Sequence, residues 1–359
     1  MSKINFSAGP AALPSVVVER ARQDLVDFEG TGMSVIEQSH RGAAYEKVQA
    51  AAIARLRELM AVPETHDVLV LQGGARTQFA MLPMNLVGPG RFASYVLTGV
   101  WAKAAYDEAA LLGDARIVAD ARDPDGRYRR VPQASELTID PASAYVHLCS
   151  NNTVYGTQWQ TYPDTGGVPL VADMTSDILS RKVDVSQFGI IYAAAQKNLG
   201  AAGAVVVIIR KDLIERSRTD IPTVWRYATH AKHASLYYTP ATFAVAIMRH
   251  VLDHAASIGG VAAIEEVNRE KARRLYTALA ARPDVYRLAA NEDSRSMMNV
   301  TFYLPTPDDD ARFVAEAQRR GMVGLKGHRT VGGIRASIYN WVSVADVDAL
   351  ADLITTFPR

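Results

Sequence analysis

The sequence predicts an α/β protein: a large unit with a mostly parallel central sheet flanked by helices, followed by a smaller α+β unit. Short, unbroken apolar runs recur through the first three-fifths of the 359 residues, helical patterns separate them, and the texture changes beyond about residue 240. Strands that do not alternate apolar with polar residues are buried on both faces, which requires helices above and below the sheet.

In chain order, Tyr45 to Met60 places Val48, Ala52, Leu56 and Leu59 at helical spacing between charged residues. Val68 to Leu71 reads as a buried strand, Gly73-Gly74 breaks it, and Thr77 to Leu86 resumes a helix. Further strand-like runs are Tyr95–Leu97, Ile117–Ala119, Tyr145–Leu148, Leu170–Ala172, Ile190–Ala193 and Val205–Ile209, with a helix enclosed by Gly99 and Gly113. Helices are expected over Phe243–Ala256 and Val261–Ala281. A strand follows at Asn299–Leu304, a helix at Asp309–Arg320 and a strand at Ile334–Tyr339. Ser343 with Asp346 three residues on gives the last helix a capping box. The boundary is placed at Ile258-Gly259-Gly260, dividing the chain into 1–258 and 259–359.

Lys and Arg total 39 against 38 Asp and Glu, so a net charge of +1 gives no support for nucleic acid or a membrane surface as partner. Cys149 is the only cysteine, which excludes an internal disulfide and suits a reducing compartment. The amino-terminal residues lack the apolar run of a secretory signal, and no apolar stretch approaches the ~20 residues of a membrane-spanning helix. A cytoplasmic protein is expected.

Chemistry concentrates at a few positions. Lys197 follows an apolar strand in a run of small residues and precedes another apolar strand. Such a lysine either turns its head to water or is a desolvated amine suited to attack a carbonyl. Asp173 ends the strand Val168–Asp173; it either caps Thr175–Leu179 or points into the ligand crevice found at strand ends in α/β sheets. Gln72-Gly73-Gly74-Ala75-Arg76-Thr77 lies between strand and helix, as a tight turn or as a phosphate cradle at a helix start. It lacks the Lys-Ser/Thr of a nucleotide loop and the glycine spacing of a dinucleotide fold. Trp101, at the start of a helix, packs in the core or stacks on a planar ring. His40-Arg41, His328-Arg329 and Arg335 sit among glycines, as surface charge or, the favoured reading, as binders of carboxylate and phosphate. His230-Ala231-Lys232-His233 reads as a polar loop, and no metal site is expected.

These residues, together with Asn5-Phe6-Ser7-Ala8-Gly9-Pro10-Ala11, Ser39-His40-Arg41-Gly42, Ala195-Gln196-Lys197-Asn198 and the long stretch Lys326 to Asn340, mark a resemblance. The chain resembles the phosphoserine aminotransferase family, in the class V group of fold-type I pyridoxal-phosphate enzymes, from end to end. The resemblance implies a homodimer with active sites at the subunit interface. It implies that Lys197 carries pyridoxal phosphate as a Schiff base beside Gln196, that Asp173 meets the pyridine nitrogen, and that Trp101 stacks on the ring. Thr153 would bond the phenolic-oxygen side, Ala75 and Arg76 the phosphate region, and Tyr238 and Thr239 would approach the phosphate, Thr239 from the second subunit. Arg335 would hold the substrate α-carboxylate, and His40, Arg41, Arg76, His328 and Arg329 the distal anion. The implied reaction exchanges glutamate and 3-phosphohydroxypyruvate for 2-oxoglutarate and phosphoserine in serine biosynthesis, with a related keto acid of pyridoxine synthesis as a further substrate. The alternatives are an alanine–glyoxylate type of class V enzyme, a cysteine desulfurase, or a binding protein that keeps the fold without catalysis. The chain departs from the family in having Tyr238 where Asn is frequent, Asn152 where Glu is common, and Ala75 for a frequent glycine.

Overall fold

The computed structural model describes residues 3–358. In chain order, β1 (Ile4–Asn5) and α1 (Ser15–Asp24) precede α2 (Ala43–Leu59), then β2 (His66–Gly73), α3 (Ala75–Leu86), β3 (Phe92–Leu97), α4 (Val100–Leu112), β4 (Asp114–Asp120) and β5 (Val146–Cys149). A small hairpin, β6 (Asn151–Asn152) and β7 (Thr157–Gln158), leads to β8 (Leu170–Asp173), β9 (Ile190–Ala194) and β10 (Gly203–Arg210). The helices α5 (Lys211–Glu215), α6 (Tyr227–Lys232), α7 (Thr242–Ser257) and α8 (Gly260–Ala280) follow. The chain ends with β11 (Arg287–Leu288), β12 (Asn299–Tyr303), α9 (Pro307–Arg319), β13 (Met322–Val323), β14 (Ile334–Ser337) and α10 (Val344–Thr356).

Seven strands form the main sheet in the order β2-β10-β9-β8-β5-β3-β4. From β9 to β4 every neighbour is parallel, while β10 runs antiparallel to both β9 and β2. The expected α/β class with a mostly parallel sheet is therefore the observed one. Successive residues of a strand serve opposite faces: Val206 and Ile208 join a core under α2 and α7, whereas Val205, Val207 and Ile209 join the core under α3 and α4. One strand departs from expectation. β4 lies at one sheet edge and its residues are half-buried or exposed, whereas β2 at the other edge is largely buried.

A third core collects Leu275, Phe302, Phe313, Ile334 and Leu350 from the C-terminal elements. Phe6 belongs to this core, and β1 pairs in parallel with β13, so the N-terminal segment packs against C-terminal residues. Ser343 and Asp346 form the expected capping box of α10. Two local readings require correction. The His230 region is helical rather than a loop: α6 buries His230, whose Nε2 meets Val224 O at 2.8 Å. Helix α1 was not anticipated, since its Val16-Val17-Val18 run is β-branched and a proline rather than a capping side chain precedes it. Among the described residues, no helix is long and apolar enough to cross a membrane.

Phe302 has no solvent exposure and meets Tyr286 and Phe313 edge-on, at ring separations of 5.6 and 5.7 Å. Phe302→Ala is expected to destabilise the protein by about 3–5 kcal/mol, read as a lowered urea midpoint.

Candidate active site

The strand directions place several chemically able residues at one edge of the main sheet. β5 and β8 are parallel and end at Cys149 and Asp173, which lie opposite each other in the ladder. β9 runs the same way, and three residues after it comes Lys197. β2 reaches the same edge through two antiparallel steps across β10, so Gly73 and the start of α3 arrive there too. Ligand crevices of open α/β sheets form at this carboxyl edge.

A cavity of about 300 Å³ opens there, lined by Gly74, Ala75, Arg76, Phe79, Trp101, Cys149, Asn151, Thr153, Asp173, Thr175, Ser176, Gln196 and Lys197. It lies at the lower end of the size range of small-ligand sites. Lys197 is 8% exposed and its Nζ donates to Thr153 Oγ1 at 2.9 Å. Gly9 covers its stem, since a Cβ built there would stand 3.5 Å from Lys197 Cε, and Ala11 N donates to Gln196 O at 2.9 Å. Asp173 is 4% exposed. Burial raises its pKa, opposed by hydrogen bonds from Thr175 and by the charge of Lys197. Asp173 Oδ1 accepts from Thr175 N at 2.9 Å, closing a turn rather than capping a helix over 175–179, and the residue lines the cavity.

At the opposite wall, the Arg76 guanidinium lies 5.5 Å from the centre of the Trp101 ring. Gly74 is the N-cap of α3, and Gly74, Ala75 and Arg76 line the cavity, so the helix starts against it; Thr77 N is already bonded to Gly74 O at 3.1 Å. Ala75 adopts an ordinary negative φ, so the methyl that replaces a glycine hydrogen is unstrained. Asn152 donates through Nδ2 to Thr98 O and accepts at Oδ1 from Val154 N and Tyr155 N, at 3.1 and 3.3 Å. A glutamate has no donor for that carbonyl. The same amide fills the space beside Gly99, where any Cβ would collide with it.

A family model described as Aminotransferase class-V matches residues 4–350. The chain belongs to the class V aminotransferases. It is 50% identical over 355 residues to the phosphoserine aminotransferase of Lysinibacillus sphaericus (strain C3-41), covering 99% of this chain and 98% of that one. Identity to the phosphoserine aminotransferase of Geobacillus kaustophilus (strain HTA426) is also 50%, with the same coverages. The solved phosphoserine aminotransferase from Bacillus circulans subsp. alkalophilus superposes with a TM-score of 0.95 at 47% identity, covering 98% of this chain and 97% of that one. A PLP-bound phosphoserine aminotransferase from Trichomonas vaginalis gives 0.92 at 37% identity, over 98% and 99%.

In this class V aminotransferase the cavity gathers Ala75, Arg76, Trp101, Thr153, Asp173, Gln196 and Lys197 from the positions singled out in the sequence. The other positions do not line it within one chain. Thr239 is exposed, and Tyr238 is half-buried, edge-on to His230 at 5.8 Å. Arg41 is exposed, and His40 Nε2 is buried without a partner. His328, Arg329 and Arg335 form a separate group, in which the arginines carry the positive charge. Burial lowers the His328 pKa, and repulsion from Arg335 and Arg329 adds to it. Arg335 Nε is buried without a partner, and burial pulls that guanidinium's pKa down.

Sequence reasoning gave no role to Phe79, Asn151, Thr175, Ser176, Gly9 or Tyr339, yet the first four line the cavity and the last two approach Lys197. The run Met174-Thr175-Ser176 directly after Asp173 was the available signal for two of them. Cys149 also lines the cavity. Burial, with Asp173 and Asp177 nearby, raises its thiol pKa well above the usual value, which opposes a thiolate nucleophile.

The raised pKa of Asp173 carries a stability consequence. The native state holds this proton to higher pH than the unfolded chain, whose carboxyl titrates near ~3.9, so native stability falls as pH rises through that window. Cofactor-free Asp173→Asn is expected to melt a few degrees above the cofactor-free parent near neutral pH. The gap should shrink toward acid in thermal melts, and a variant less stable at every pH would contradict the assignment.

Proposed function

We propose that the chain is a phosphoserine aminotransferase that holds pyridoxal phosphate in the Lys197–Asp173 cavity. The observation that carries the reading is the donor set of that cavity: one buried amine, one buried carboxyl, an indole wall and a helix start, all around a single space of about 300 Å³. The set fits the cofactor group by group. Lys197 would hold the aldehyde, Asp173 the ring nitrogen, Trp101 the ring face, Thr153 and Gln196 the ring edge, and the Ala75 and Arg76 end of α3 the phosphate. When bound, pyridoxal phosphate supplies the carbonyl carbon for amine exchange and the ring that accepts electrons from the substrate.

The protein's own groups do the rest. Thr153 Oγ1 holds the Lys197 amine at 2.9 Å, so the amine stays aimed into the cavity. Lys197 Nζ would move the proton at the substrate Cα as general base and acid. Asp173, held by Thr175 N, would keep a proton on the ring nitrogen. An ionised Asp173 is costly in this dry site on its own, and a protonated ring nitrogen beside it offsets that cost. Arg335 fixes the α-carboxylate, and its unpartnered buried Nε supports a bound anion there. His328, Arg329, Arg76, His40 and Arg41 receive the distal group, which is a carboxylate in glutamate and a phosphate in 3-phosphohydroxypyruvate. A loose group of several cations suits both anions better than one fitted fork does.

A homodimer completes the site in this reading, with Thr239, Tyr238, His40 and Arg41 serving the partner's cavity; their positions away from the cavity of their own chain support it. We place the domain division at residue 258, between α7 and α8, and the enzyme in the cytoplasm. The longer phosphorylated keto acid of pyridoxine synthesis is a second substrate. The high thiol pKa of Cys149 counts against desulfurase chemistry.

Borohydride reduction of the loaded enzyme is expected to abolish its visible absorbance and leave the cofactor mass on the Lys197 peptide. Lys197→Ala should lose transamination by a factor of about 10⁴ or more. Steady-state comparison of amino acceptors should favour 3-phosphohydroxypyruvate over pyruvate and glyoxylate. Equal use of the three would sink the substrate assignment.

A further inference from the structure

Helix α8 carries a lysine with no solvent exposure, Lys271. Its Nζ donates to Tyr339 O at 2.7 Å, Val342 O at 2.9 Å and Ile338 O at 3.0 Å, with Asn340 O at 3.5 Å. Three short contacts use three N–H donors, which an ammonium has and a neutral amine lacks. Burial works against that charge and brings the pKa down to about 7, opposed by Asp346. A methionine fills similar space without desolvating a cation, so packing alone does not account for a lysine here.

The turn caged by this ammonium, residues 338–342, leads to Lys197 by two routes. Asn340 N donates to Asn198 Oδ1 at 3.1 Å and Trp341 Nε1 to Asn198 O at 2.9 Å, which grips the residue directly after Lys197. Tyr339 lies with its ring centre 5.8 Å from Lys197 Nζ and donates its hydroxyl proton to Ala8 O at 3.0 Å, beside the Gly9 that covers the lysine stem. The segment after Asp173 is tied in as well. Asn268, one turn before Lys271, donates to Asn340 Oδ1 and to Ser180 O, both at 2.9 Å, and Asn340 Nδ2 donates to Leu179 O at 3.1 Å. Leu179 is held there at a φ of +59°, a conformation a leucine adopts only under outside constraint.

We propose that Lys271 is a positioning residue: its ammonium fixes the 338–342 turn and, through Asn340, Trp341 and Asn198, sets the direction in which Lys197 presents its amine to the cavity. The inference rests on the reading of Lys197 as the reactive amine.

The test uses full-length protein loaded with pyridoxal phosphate. Borohydride labelling of the parent must first mark Lys197; its absence overturns the functional reading and this inference with it. With that label in place, Lys271→Met and Asn198→Ala are expected to lower kcat by about 10–100-fold while KM for glutamate stays within about twofold. In both, the pH midpoint of the absorbance of the lysine-linked cofactor should move by about half a unit or more. Lys271→Gln, which keeps two of the N–H donors, should recover part of both effects. A purely packing role predicts a lower melting temperature, an unmoved spectral midpoint and an unchanged kcat per bound cofactor, and that result overturns the proposal. If Lys271→Met does not fold, Lys271→Gln decides alone: a lowered kcat with a moved spectral midpoint supports the proposal, and an unchanged kcat per bound cofactor with an unmoved midpoint overturns it.

Discussion

Strand direction is the constraint on which the cavity depends. β5, β8 and β9 are parallel, so the residues that follow them arrive at one edge of the sheet, and β2 is returned to that edge by two antiparallel steps across β10. Reversing any of these strands would send its chemical group to the far side of the sheet. The amine and the carboxyl also lie near neighbouring strands, because β8 and β9 pair directly. Neither group can move far, since the strands below them belong to two close-packed cores. The site is thus carried by rigid elements, and the glycines and small residues around it supply room rather than motion.

The electrostatic arrangement follows from that placement. An aspartate and a lysine in the same dry space attract each other, and each would be costly alone. Here they line one cavity without a direct ion pair, and the lysine bonds to Thr153 instead. Without that pair the carboxyl keeps a pKa raised by burial, opposed by hydrogen bonds from Thr175 and by the charge of Lys197. Collapse of the two into a salt bridge would relieve the desolvation and destroy the site. Lys197 Nζ donates to Thr153 Oγ1 and Asp173 Oδ1 accepts from Thr175 N, so each charged group is engaged by a threonine rather than by the other.

Much of this was legible in the sequence, for reasons that can be named. Val205 to Ile209 reads as a doubly buried strand because no residue in it tolerates water, and it lies inside the sheet between β2 and β9. Asp173 and Lys197 stood out because each is a charge at the end of an apolar run. Ile117–Ala119 misled, since an exposed edge strand can be as apolar as a central one; β2, at the other edge, is largely buried, so what covers its faces and not edge position alone decides exposure. Helix α1 was missed because its start is β-branched and uncapped, so tertiary packing of Val17 and Ala21 against Ile247 and Val251 decides it. Phe79 and Asn151 entered the cavity unannounced. A side chain that lines a space looks no different in sequence from one that fills it.

The least legible part is the polar seam between the sheet and the C-terminal elements. Asn198, Asn268, Asn340 and Lys271 are scattered over the last half of the chain, and none has a motif around it that signals burial. An apolar seam of the same area would be as stable or more so, since buried cations and amides surrender their water. What it would lack is direction. Apolar surfaces can slide by fractions of an ångström at little cost, whereas an amide bonded at both ends cannot move without losing a bond in a site where water cannot replace it. Asn198 is bonded at its carbonyl, its amide oxygen and its amide nitrogen, and the residue before it is the lysine on which the proposed chemistry turns. A reaction that requires an amine to alternate between a cofactor and a substrate proton tolerates little misplacement of that amine's backbone. The seam gives up stability to fix a position, and position is what the site requires.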